Sequence, residues 1–320
     1  MKSFPLIECV PNFSEGRDKS IIDQISASIS SVPDVKVLHI DMGYDAHRTV
    51  ITFIGSPEAC EKAAFQSIKT ATELIDMRLH HGAHPRMGSV DVFPFIPLTG
   101  TTLQQAIDCT IHVADRVANE LQIPVYLYNL SARDSSRKLL ADVRKGEYEG
   151  LENKLKTTEG KPDLGPSTFN AKSGAIIMGA RKILIAYNIN LNTSSVKLAK
   201  QIASRLREKN GGLPGVRAIG WYMPAFQCAQ VSTNITDMDQ SPVHVVFDTC
   251  KKLASEYGVL VRGSELVGLI PKECLIKTAE HICFDPVISE IEKMQIAIDY
   301  LGLNSVKKFD LKNQVIEELL

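Results

Sequence analysis

Residues 6–10 make a short apolar run, the pattern of a buried strand, and Pro11, Asn12, Ser14 and Gly16 punctuate a turn behind it. Ile21, Ile22, Ile25 and Ile29 then recur at helical spacing within about 18–31. β-Branched runs at 35–41 and 49–54 flank Gly43, Tyr44 and Asp45, the signal of a hairpin. Ser56-Pro57-Glu58 opens a helix that the pattern carries to about residue 74, with Ser56 as N-cap and Pro57 at the first position. Residues 90–96 return to strand. The predicted order is β-α-β-β-α-β.

That order repeats. Residues 183–189 read as strand, Asn192, Thr193 and Ser194 cap a helix reaching about 209, and Gly211-Gly212-Leu213-Pro214-Gly215 breaks the chain. A second hairpin at 216–222 and 229–235, a helix over about 242–257 and a strand opening at 259–261 complete the repeat. Two split β-α-β units in tandem predict an α+β fold of two ferredoxin-like (βαββαβ) subdomains, residues 1–179 and 180–320. Each sheet then has helices on one face only, and the economical arrangement sets the two sheets facing each other across a cleft. Between the halves lie a helix at 103–121, a strand at 124–128 and a polar stretch at 133–161, whose alternating charges read as a solvated face. From about residue 286 a long amphipathic helix is expected to pack on the second half.

Composition narrows the function. The chain has 320 residues, 44% hydrophobic and 23% charged, enough for a globular protein of two domains. Lys plus Arg is 36 against 37 Asp plus Glu, a net charge of -1, so no global field favours nucleic acid or an anionic membrane. No apolar run approaches the roughly 20 residues of a membrane span, and Glu8 and Pro11 interrupt any leader-like stretch. The seven cysteines, at 9, 60, 109, 228, 250, 274 and 283, are odd in number and contain no CxxC. That usage predicts buried, reduced thiols and a cytoplasmic location rather than a disulfide or metal framework.

Candidate chemistry concentrates in His80-His81-Gly82-Ala83-His84-Pro85-Arg86-Met87-Gly88, which holds three of the eight histidines. Between a helix and a strand, with two glycines and a proline, it should be a shaped loop that presents side chains. His80 and His84 have the HxxxH spacing of a metal pair, but Gly82 and Pro85 argue against a continuous helix and no HExxH follows, so acid/base use is preferred and no metal is expected. For His80 or His81 singly, a capping or hydrogen-bonded role suffices.

A second cluster, residues 8–16, ends a strand in a turn that opens a helix; its unpaired N–H groups can hold a carboxylate or other anion, and Ser14 can equally be a helix cap. Cys9 there reads as buried and inert. Asp41 ends a strand and Arg48 begins the next, flanking a turn that carries His47; a carboxylate can orient an imidazole and an arginine can fork onto a substrate carboxylate. A fourth stretch, Gly165-Pro166-Ser167-Thr168-Phe169-Asn170-Ala171-Lys172-Ser173-Gly174, could cradle a flat heterocycle or be an ordinary linker. Neither a GxSxG elbow nor a Walker loop is present, which excludes a serine hydrolase of that kind and weakens nucleotide binding.

The motifs at 8–16 (ECVPNFSEG), 48–55 (RTVITFIG) and 74–97 (LIDMRLHHGAHPRMGSVDVFPFIP) resemble the formiminotransferase domain family, as do PVYLY at 124–128, GPSTF at 165–169, GARKILIAYNINL at 179–191, RAIGWY at 217–222 and QVSTNITD at 230–237. The resemblance runs in order over nearly the whole chain. It implies transfer of a formimino group between N-formimino-L-glutamate and N5 of tetrahydrofolate, a co-substrate, through a tetrahedral intermediate, in a homodimer with folate between facing sheets. The family's catalytic histidine falls on His84 and its folate-contacting stretch on Gly165 to Gly174. Asp41 would orient His84, Arg48 or Arg86 would hold substrate carboxylates, and Asn12 would line the site. Ala83 stands where many members carry Glu, and residues 170–173 also depart from the family pattern. In animals the domain is often fused to a cyclodeaminase, and only the transfer half is expected here. A formyl donor (5-formyltetrahydrofolate) and a non-catalytic folate-binding protein are the alternatives.

Overall fold

A computed structural model describes residues 5–44, 46–82, 85–98, 100–283 and 288–319. The chain divides into two units, Met1–Lys182 and Ile183–Leu320. In the first unit, strands β1 (Ile7–Cys9) and β2 (Asn12–Phe13) are two pieces of one line, interrupted at Pro11, which has no N–H to give a ladder. Helix α1 (Lys19–Ser30) follows. Asp18 is its N-cap, accepting from the Ser20 and Ile21 amides, and it buries Ile22, Ile25 and Ile29. Fully burying three such side chains contributes about 1.5–3 kcal/mol each. The predicted hairpin is β3 (Val35–Gly43) and β4 (Arg48–Gly55). Helix α2 (Pro57–Leu74) starts at Ser56, whose hydroxyl accepts from the Ala59 amide, with Pro57 at the first turn.

Strand β5 (Val90–Pro97) completes the sequence β-α-β-β-α-β, and the β1/β2 line pairs antiparallel with both β4 and β5. Helix α3 (Leu103–Glu120) leads to β6 (Val125–Leu127), then short helices α4 (Leu140–Val143) and α5 (Glu147–Leu155), then β7 (Ile176–Ala180). β7 lies parallel between β5 and β6. The segments that the pattern puts between the halves therefore extend the first sheet, because Ile177 and Tyr126 find a buried place beside Val92. The polar 133–161 stretch is likewise more than a solvated face. Leu151, Leu155 and Val143 are buried against that part of the sheet, while Arg137 and Arg144 pair with Asp163 and Asp91.

The second unit repeats the strand order of the first four. Strands β8 (Ile185–Leu191), β9 (Val216–Met223), β10 (Cys228–Ile235) and β11 (Val261–Val267) make a sheet ordered β11-β8-β10-β9, all antiparallel. Helices α6 (Val196–Leu206) and α7 (Val243–Glu256) fill the crossovers. Its own core includes Tyr187, Ile189, Ile202, Val246 and Leu275. Helix α8 (Lys272–Ile282) has no counterpart in the pattern reading, since its buried face is Cys274, Leu275, Thr278 and Ala279. The expected long C-terminal helix is α9 (Glu290–Leu301), stopped by Gly302 in the left-handed region, with the single turn of α10 (Leu311–Gln314) beyond. Both units are mixed α/β, each with one sheet.

Candidate active site

Four segments distant in sequence meet in the first unit. The Ser14 hydroxyl donates to the Gly88 carbonyl at 2.7 Å, and the Ser14 amide to Ser89 O at 2.9 Å. Ser14 is thus a tie between segments, and the helix cap is Asp18. The Thr49 hydroxyl donates to Glu15 O at 2.5 Å. Gly16 lies so close to the β3–β4 turn that a Cβ would stand 2.5 Å from Arg48 N and Gly43 O, so no larger residue fits. On the other side, the Ser89 amide reaches Ser173 O at 2.9 Å and the Ala175 amide reaches Met87 O at 3.1 Å.

The turn that can hold an anion holds one of the chain's own. Glu15 Oε1 accepts from the amides of Gly16, Arg17 and Asp18 at 2.9, 2.7 and 2.9 Å. Burial raises the Glu15 carboxyl, but the Asp18 and Arg17 amides and the His47 charge outweigh it and leave it below its ordinary value. His47 Nε2 is 3.2 Å from that same oxygen, and His47 Nδ1 is 3.0 Å from the His81 carbonyl. The His47 and His80 rings stack at 4.2 Å. His80 Nε2 donates to His47 O at 2.7 Å, and its Nδ1 accepts from Arg86 Nε at 3.1 Å. His80 is thereby fixed in one neutral tautomer; burial pushes its imidazolium down, and the charges of His47 and Arg86 push the same way. The Arg86 fork closes on Glu149 at 2.8 and 2.6 Å.

Strand register sets Asn12 and Asp41 on either side of Val50, and Arg48, two residues before Val50, shares their face. Asp41 is exposed and Arg48 half-buried. Burial pushes the Arg48 guanidinium down from its ordinary value, with Asp91 and Asp41 opposing the shift. Asn12 is buried and donates to Val10 O at 3.1 Å. Asp91, 0% exposed, accepts from Arg144 and from the Met87 amide.

Of the 165–174 stretch, Asn170 and Lys172 tie the loop down. Asn170 takes the Ser173 and Gly174 amides, Lys172 O takes the Met77 amide, and Lys172 Nζ donates to Glu73 O. Gly165, Ser167, Thr168 and Ala171 are exposed and Pro166 and Phe169 half-buried, with Phe169 5.5 Å from the Tyr148 ring. Tyr148 Oη donates to Ala171 O at 2.5 Å. Ser173 and Gly174 are buried against Met87–Ser89.

Ala83 and His84 lie outside the described residues. What is described is the approach to them: His80 and His81 on one side and Arg86–Ser89 on the other are both held by the contacts above. Among the described residues no three His, Cys, Asp or Glu side chains gather as metal ligands, and all four ring nitrogens of His47 and His80 are engaged. Cys9 is buried and its thiol pushed up by that burial, so it has no nucleophilic character. Pattern reading missed Glu15, Asp91, Arg144 and Glu149, while His80 has the hydrogen-bonded role that the reading allowed it. Glu15 had a signal, as an acid at an anion-holding turn; Glu149 and Arg144 sat in a charged run that shows none.

Two tandem units that share one four-strand order, with the candidate site in the first, point to one family. Residues 6–181 match the formiminotransferase domain, N-terminal subdomain, and residues 186–320 the formiminotransferase domain. The chain belongs to the formiminotransferase family. It is 43% identical to glutamate formimidoyltransferase of Thermoplasma acidophilum, covering 86% of this chain and 91% of that one. Identity to glutamate formimidoyltransferase of Streptococcus pyogenes serotype M1 is 40%, over 86% and 92%. Identity to the formimidoyltransferase-cyclodeaminase of Mus musculus is 44% over 98% of this chain, which spans 60% of that protein's length.

Proposed function

We propose that the chain is a tetrahydrofolate-dependent glutamate formimidoyltransferase, moving the formimino group between N-formimino-L-glutamate and N5 of tetrahydrofolate, with His84 as acid/base. The observation that carries the reading is that the His81 carbonyl meets His47 while Met87–Ser89 meets both residues 173–175 and Ser14 beside Glu15, in a chain of this family. Tetrahydrofolate, when bound, supplies the nitrogen that gains or gives up the one-carbon unit. Amidine exchange requires one nitrogen to lose a proton and another to gain one. A histidine titrating near neutrality does both and contributes about 10²- to 10⁴-fold.

The 165–174 stretch suits a flat heterocycle, since Phe169 offers an aromatic face beside Tyr148 and Ser167 and Thr168 offer exposed hydroxyls. Arg48 is the residue to hold a substrate carboxylate, with Asn12 and Asp41 on the same face, and the role proposed for Asp41 is to orient His84. Arg86, whose fork is engaged by Glu149, instead braces His80. The corresponding cellular form is a cytosolic homodimer acting on small molecules; free cysteines that are mostly buried suit a reducing compartment.

The test is turnover of tetrahydrofolate and N-formimino-L-glutamate to the 5-formimino product. His84→Ala should lose about 10²- to 10⁴-fold in kcat while binding folate within a few-fold. Turnover of 5-formyltetrahydrofolate with glutamate and silence with the formimino donor would change the substrate. Tight folate binding without turnover of either would overturn the enzyme reading.

A further inference from the structure

His47 makes more interactions than a core histidine needs. It is 9% exposed, and it sits at φ 49°, a left-handed conformation uncommon for a residue other than glycine. Such backbone strain persists where the surroundings over-determine it. Here they do. Its backbone carbonyl takes the His80 Nε2 proton at 2.7 Å, and its ring lies flat on the His80 ring at 4.2 Å and 10°. Its two ring nitrogens each face an oxygen that can only accept, Glu15 Oε1 at 3.2 Å and His81 O at 3.0 Å. Glu15 cannot drift, because three amides of the turn before α1 hold the same carboxylate oxygen. Across the contact, a Cβ on Gly82 would stand 2.4 Å from Ala46 O and 2.6 Å from His47 Cβ, so the chain after His81 is pressed directly onto the His47 turn.

We propose that His47 is a positioning residue: braced by Glu15 on one ring nitrogen, it grips the His81 carbonyl with the other and fixes His80–Gly82, the segment that leads into His84. The inference rests on the transferase reading and on His84 as its acid/base group. The device explains why a carboxylate occupies the anion-holding turn and why a histidine stands at a strained backbone position. The groups facing the ring are Glu15 from the turn before α1 and, from the loop, the His80 ring and the His81 carbonyl.

Two variants separate positioning from simple packing. His47→Gly relieves the backbone and removes the ring; His47→Asn tolerates the left-handed backbone and keeps an amide donor near the Nδ1 position. Positioning predicts that His47→Gly loses about 10²-fold in kcat, the cost of a small misplacement of a catalytic group, with KM for tetrahydrofolate held within a few-fold. His47→Asn should recover most of that loss. Equal activity in Gly and Asn variants, or losses in KM matching those in kcat, would overturn the proposal. An imidazole ¹H–¹⁵N spectrum of the wild-type chain reads the grip without any turnover: a slowly exchanging Nδ1 proton on His47 is expected, and its absence overturns the proposal. Should the wild type turn over neither donor, the transferase reading fails while the spectrum still decides the grip.

Discussion

Arg144→Met removes the charge from one side of a buried ion pair while nearly keeping side-chain length. Asp91 is 0% exposed. Its Oδ2 accepts from Arg144 Nη2 at 2.6 Å, and its Oδ1 from Arg144 Nε at 3.2 Å and the Met87 amide at 3.0 Å. Burial pushes the Asp91 carboxyl above its ordinary value even though Arg144, the Met87 amide and Arg48 oppose the shift. Desolvation therefore already outweighs attraction in the intact pair. Removing one partner of such a pair costs about 3–5 kcal/mol. The Arg48 charge still acts on Asp91, which sets the expectation at the lower end, about 3 kcal/mol. The loss must also depend on pH. In the variant the folded carboxyl rises further above its unfolded value of about 3.9. A raised value means that the penalty is absent below about pH 4 and grows as pH rises, by up to about 1.4 kcal/mol per unit, until the folded value is passed. Denaturant melts followed by far-UV circular dichroism should show a larger loss at pH 7.5 than at pH 4.5. The double variant Asp91→Asn/Arg144→Met keeps an acceptor for Met87 and leaves no unpaired charge, so it should return to within about 1 kcal/mol of wild type. A loss under about 1 kcal/mol at pH 7.5, or the same loss at both pH values, would refute the reasoning.

Gly82→Ala places a methyl 2.4 Å from Ala46 O and 2.6 Å from His47 Cβ, atoms that cannot swing aside. Steady-state kinetics should show kcat down about 10²-fold, with the melting midpoint shifted by only a few degrees; full activity would mean the contact is looser than it stands. Glu149→Ala opens the Arg86 fork, but the Glu149 side chain is 62% exposed, so stability should fall by less than about 1 kcal/mol. KM for N-formimino-L-glutamate should not change, and a lower KM would make Arg86 rather than Arg48 the carboxylate holder. His80 has its imidazolium pushed down, by burial first, so it contributes stability above its unfolded value of about 6.5 that is lost as pH falls through the folded value. Thermal melts from about pH 7.5 to 5 should fall more steeply for wild type than for His80→Gln, and parallel curves would remove His80 from that balance.

Much of the fold was legible because its causes are local. The isoleucine spacing of α1, the Ser56-Pro57 start of α2 and both hairpins each depend on residues within a turn or two of one another, and they stand where the pattern puts them. Helix α8 escaped because its buried face is Cys274, Leu275, Thr278 and Ala279, too weakly apolar to show a period. β6 and β7 were read as strands, but their place in the first sheet depends on side chains from residues far apart, Val92, Tyr126 and Ile177.

The site divides along the same line. The sequence alone determined which residue types are present for the chemistry: a histidine-rich loop with two glycines, an anion-holding turn, an arginine and an aspartate at facing strand ends. Only the tertiary structure decided which of them are bound to each other. Glu15 and His47 are 32 residues apart, and Arg86 and Glu149 are 63 apart. Strand pairing sets the first pair together, and the packing of α5 sets the second. Periodicity measures burial along one element, whereas a hydrogen bond between elements depends on register, approach and a turn's backbone angle, none of which leaves a period in the chain.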